Sequence, residues 1–154
     1  MSMFSAFDIN ASGMTAQRYR MDIISENVAN ANTTRTADGT PYRRKVVYFE
    51  EKGGQTDFSR VLAKACHHDY FYHHGYSGQG VKVSGVLEDY ETEMNMVYDP
   101  SHPDADENGY VTYPNVNIIT EMTNMIDASR AYEANATAFD ASKSMAQQGL
   151  QIGQ

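Results

Sequence analysis

His67, His68, Asp69, His73 and His74 fall within eight residues. Neutral imidazoles crowded on a short segment can bind zinc or nickel. A working metal centre also needs neighbours that orient each ligand. The surrounding residues 52–79 are rich in Gly, His and Tyr and show no period that would build such a scaffold. An opportunistic, solvated cluster is therefore the favoured reading. Cys66 stands beside these histidines and is the only cysteine, which excludes an internal disulfide and any CxxC motif. As a nucleophile it lacks an ordered Asn or Asp partner in sequence.

A second candidate is Asp104-Ala105-Asp106-Glu107-Asn108-Gly109, which matches the first half of an EF-hand calcium loop. The second half fails. Asn115 stands where the bidentate Glu belongs, and Pro114 precedes it where the exiting helix should be starting. Pro100 and Pro103 occupy the place of the entering helix. A plain acidic turn fits better. Arg43-Arg44-Lys45 forms a basic triplet on an expected strand, read as a solvated face or as the ion-pair partner of the acidic stretch 88–107. That stretch has eight carboxylates and no Lys or Arg. No P-loop, GxGxxG, HExxH or GxSxG occurs. No catalytic residue, cofactor site or metal site is assigned, and the chain reads as a non-enzyme.

The elements around these groups are more telling. Phe7, Met14, Met21 and Val28 recur every seven residues, with Asn10, Gln17, Ile24 and Ala31 three positions on from each. No Pro and only Gly13 interrupt the run. This predicts one helix from Phe4 to about Ala31, about 42 Å long, packed along a partner helix. It ends in the turn-favouring Asn-Ala-Asn-Thr-Thr of 30–34. Ile118, Met125, Tyr132, Phe139 and Ala146 repeat the pattern, with Met122, Ala136 and Leu150 flanking. A second helix is expected over about 116–148, capped by Asn115 or Asn117, with Glu121 in its first turns and Gly149 loosening its end. Between the helices, 42–50, 80–84 and 110–113 read as strands and 52–79 as a loop.

Length and charge set the class. The 154 residues make one domain with room for a small insertion. The net charge of −8 argues against nucleic-acid binding. No apolar run spans a membrane, and Met1 to Asn10 has neither the basic start nor the apolar stretch of a secretory signal. The expected fold is α+β: long N- and C-terminal helices pairing antiparallel as a coiled-coil-like unit, with a small β-rich insert between them. The divisions are 1–33 for the first helix, 34–114 for the β-rich middle with 52–79 as a variable insertion, and 115–154 for the second helix. Two paired helices leave much apolar surface uncovered, and the Met-rich faces suit irregular partners. A monomeric bundle core explains the same stripes equally well.

The run Ser12-Gly13-Met14-Thr15-Ala16-Gln17-Arg18, followed by Met21 to Thr33, resembles the N-terminal signature of bacterial flagellar axial proteins, the rod, hook and hook-associated subunits. Asp38 to Arg43, Tyr98 to Asp106, Gly109 to Val111, Pro114 to Asn117, Glu121-Met122, and Ser129 to Asn135 resemble the rod members of that family. The resemblance covers about 4–50 and 80–152 and leaves 52–79 unmatched.

It implies a structural rod subunit in the flagellar basal body, in the periplasm. Such a subunit is exported by the flagellar type III apparatus without a cleaved signal and stacked helically to transmit torque from motor to hook. Implied partners are other rod proteins, further copies of itself and the export-gate/MS-ring base, with no nucleic acid and no direct membrane insertion. Phe7, Met14, Met21, Ile24 and Val28 would face Ile118, Met122, Met125, Tyr132 and Phe139, within or between subunits. The competing reading is a small metal-binding module using His67–His74 or Asp104–Gly109. A monomeric helical adaptor is a third.

Overall fold

The computed structural model describes residues 3–52 and 79–152. Helix α1 runs Met3–Ala29, and the C-terminal helix α2 runs Ile118–Ile152. Between them lie strands β1 (Lys45–Glu51), β2 (Val81–Glu88), β3 (Asn95–Tyr98) and β4 (Tyr110–Tyr113). The architecture is α+β with terminal helices, as the patterning predicts.

The helices pair antiparallel. Phe7 meets Phe139 edge-on at 5.0 Å. Gly13 lies against Asn135, and Asn27 bonds Glu121. Partners in α2 therefore descend as those in α1 ascend. With 27 and 35 residues, the helices span about 40 and 52 Å. The last two turns of α2 accordingly run past the start of α1. Met145 and Leu150 there are exposed.

Side chains fix the helix ends. Asn117 caps α2, its Oδ1 accepting the N–H groups of Ile119 at 3.0 Å and Thr120 at 3.3 Å. Asn115, the other expected cap, is used elsewhere. Gly149 does not end α2, which continues to Ile152; one exposed glycine costs a helix about 1 kcal/mol, too little to stop it. After α1, the chain turns at 30–32 and makes a tight loop in which Thr36 N–H and Oγ1 both donate to Thr40 O. Tyr42 N–H then donates to Thr33 O at 3.1 Å, and Tyr42 packs with Ala31 and Val116.

β1 and β2 form an antiparallel pair whose register steps between Tyr48 and Phe49, leaving Ser84 as the extra residue of a bulge. The pair lies lengthwise along α1. Its open end sits at Asn27, where Asn27 Nδ2 donates to Lys45 O at 2.8 Å. At the other end, Val81 N–H donates to Ser12 Oγ at 3.1 Å. Fifteen residues of helix and six of strand both measure about 20 Å, so the two anchors match in length. β3 and β4 make a second two-stranded sheet. β3 has no sequence signal beyond a short Asn-Met-Val-Tyr run inside the acidic stretch.

Candidate functional site

The buried apolar residues among those described are few and mostly small: Ala16, Ile24, Ala31, Tyr42, Val111, Val116 and Ala128. The most enclosed contact between the ends of the chain is instead polar. Asn27 is 0% exposed and Glu121 1%. Asn27 Nδ2 donates to Lys45 O and, at 3.1 Å, to Glu121 Oε2. Its Oδ1 accepts Tyr42 O–H at 2.9 Å and Lys45 N–H at 2.9 Å. Both donors and both lone pairs of the amide are thus used. A buried amide satisfied in this way carries little net cost, whereas an unpartnered one is expensive.

Glu121 is paired from the strand side. Arg44 donates to Oε1 through Nε at 2.9 Å and Nη2 at 2.7 Å. Arg44 Nη1 also lies 3.6 Å from Asp89 Oδ2. Asn115 finishes the joint: its Oδ1 accepts Arg44 N–H at 2.9 Å, and its Nδ2 donates to Asp89 O and Thr92 O. Lys45 pairs with Glu26 on α1, and Arg43 stacks 4.1 Å over Tyr90. One junction therefore ties α1, β1, the β2–β3 link and α2.

One phenol and one carboxyl group feel it. Burial, then the nearby Glu26, Glu88 and Glu121 carboxylates, push the Tyr42 phenol up to about 12. The Thr92 backbone N–H, then its hydroxyl, hold Asp89 below the usual carboxylate value, with Glu91 N–H and Arg44 adding to this.

The ten residues expected at the helix seam are not placed alike. Phe7 and Phe139 touch, and Ile24 is buried. Met14, Met21, Val28, Met125 and Tyr132 are half-buried. Ile118 and Met122 face solvent, as do their neighbours Ile119 and Ile126. Ile118 also borders a groove of about 630 Å³ with Ala31, Met96, Val97 and Val116. The upper part of α2 thus presents an apolar face that this chain leaves open.

The basic triplet divides as well. Arg44 does reach the acidic stretch at Asp89, but its closest partner is Glu121. The hidden signal was a polar residue, Asn27, beside the apolar stripe, and a Glu early in the second helix. Nothing in the sequence linked these two to Arg44.

Asp104 accepts Thr34 Oγ1 at 2.8 Å and lies 3.7 Å from Arg35. Asp106 Oδ1 accepts the N–H groups of Asn108 and Tyr110, and Gly109 has φ 80°. These are the bonds of a turn. Among the described residues, no three His, Cys, Asp or Glu side chains gather to hold a metal. The His67–His74 cluster lies outside the described residues.

Paired terminal helices flank a β-rich middle, and comparison with known proteins places the chain among flagellar rod proteins. A family model for flagella basal body rod proteins matches residues 7–35, and one for the C-terminal part of flagellar basal body rod FlgEFG proteins matches 107–152. The flagellar basal-body rod protein FlgC of Bacillus subtilis is 43% identical over 157 residues, covering 99% of each chain. FlgC of Borreliella burgdorferi is 43% identical, covering 99% of this chain and 98% of that one. FlgC of Salmonella typhimurium is 36% identical over the full length of both. The chain belongs to the FlgC family of flagellar basal-body rod proteins.

Proposed function

We propose that the protein is a non-enzymatic, structural subunit of the proximal rod of the bacterial flagellum, assembled helically through its terminal helices and passing torque from motor to hook. The observation that carries this reading is similarity to rod proteins along the whole chain. The open apolar face of Ile118, Ile119, Met122 and Ile126 supports it, because a chain that worked alone would cover that surface. The partners are other rod proteins, further copies of this chain and the export-gate/MS-ring base. The subunit sits in the periplasmic part of the basal body and travels there through the flagellar type III apparatus. Export as an unfolded chain suits helices whose stability comes from packing on neighbours. No helix among the described residues is long and apolar enough to cross a membrane.

Within this reading, Phe7, Met14, Met21, Ile24, Val28, Met125, Tyr132 and Phe139 hold the subunit's own helix pair. Ile118 and Met122 meet a neighbour. Met122→Asp puts a charge on that face without touching the junction. The variant is expected to keep its helical circular dichroism and to abolish swimming when it replaces the native chain in cells. Swimming at the normal rate would remove this face from the assembly.

A further inference from the structure

We infer that Asn27, Arg44 and Glu121 determine the register of the helix pair, selecting one alignment of α1 on α2 where the apolar seam accepts several. This goes beyond assembly, because it concerns the single chain.

The seam is nearly degenerate. Met125, Tyr132, Phe139 and Ala146 are seven apart, as are Phe7, Met14, Met21 and Val28. Sliding α2 by seven residues sets apolar on apolar again. Phe7 would meet Tyr132 or Ala146 instead of Phe139. The buried apolar side chains from the two helices are mostly alanine, which interlocks weakly.

The junction is not degenerate. In the observed alignment, Asn27 uses every donor and acceptor it has, and Glu121 takes two Arg44 donors and one from Asn27. A seven-residue slide puts Ala128 opposite Asn27 and carries Glu121 away from Arg44. Arg44 itself cannot follow, since the β1–β2 pair beside it is tied to α1 at both ends, through Lys45 and Val81. One Asn27 N–H then faces Ala128 without an acceptor, and the Arg44 guanidinium loses its carboxylate, which is unfavourable. Small polar groups in apolar seams set alignment in this way at some cost in stability.

The test uses the full chain with Cys66→Ser, so that introduced thiols are the only ones. Gly13→Cys with Asn135→Cys reports the observed register, because a Cβ at Gly13 would stand 2.9 Å from Asn135 Cγ, within disulfide reach once the amide is gone. Gly13→Cys paired with Ala128→Cys or with Ser142→Cys reports slides of seven residues either way. With the junction intact, the first pair should close and the others stay open. The apolar junction Asn27→Leu/Arg44→Met/Glu121→Leu is expected to retain helical circular dichroism. The ratio of in-register to slid closure should nevertheless fall roughly tenfold.

Val111→Ala, which destabilises elsewhere, should leave that ratio unchanged. If the triple variant loses its helical signal, Glu121→Gln replaces it, with an expected fall of roughly threefold. An unchanged ratio in the variant that folds overturns the inference. So does slid closure in the intact chain, or an equal fall with Val111→Ala.

Discussion

Tyr42 carries a hydroxyl that donates into the junction from a buried ring. With its phenol pushed up to about 12, the folded state binds that proton more tightly than the unfolded chain, whose phenol titrates near 10. The stability linked to it is therefore complete below pH 10 and disappears as pH rises through the folded value. Ultraviolet titration should show a tyrosine step near pH 12, and Tyr42→Phe should remove it. Asp89 works in the opposite direction. Its folded value is lowered by Thr92 first, so its contribution is present above the ordinary carboxylate value near 4 and fades as pH falls below it. Asp89→Asn should lower the urea midpoint at pH 7 and flatten its decline between about pH 4 and 2.

Among the elements, the β1–β2 pair approaches α1 closely at a glycine. Gly80 has φ 97°, and a Cβ there would stand 2.1 Å from Ser12 Oγ. Gly80→Ala therefore meets both backbone strain and a clash. Urea unfolding should reveal a loss of about 1–3 kcal/mol with an unchanged slope.

The helices and three of the four strands among the described residues are legible because their signals are local: seven-residue spacing, absence of proline, and β-branched and aromatic runs. Strand β3 was hidden inside an acidic stretch, since its four residues all remain exposed and carry no alternation. The bonding of Asn27 to Glu121 was illegible for a different reason. The two residues are 94 positions apart, and each alone reads as a turn former or a favourable charge near a helix start. Asn115 and Asn117 are alternatives for the cap that sequence alone does not separate. Asn117 takes that role, while Asn115 pins Arg44.

At the scale of the molecule, stability should be graded along the helix pair. Tight packing and the junction lie at one end, near Glu121 and the buried Ala128, and two uncovered turns of α2 at the other. Hydrogen exchange on the purified chain should find the amides of 121–128 slowest in α2 and those of 145–152 fastest. Equal protection along the helix would mean that the two uncovered turns are covered by self-association in solution. The closed stem of the β1–β2 pair has a practical consequence. Lys52 N–H donates to Gly80 O at 2.8 Å, so the chain that leaves at 52 returns at the same point, already held against Ser12. Chain added between the two ends costs a loop-closure entropy that grows only slowly with its length. That makes the stem a natural insertion port, where an epitope or fluorescent label can be spliced into the subunit while the paired helices keep their alignment.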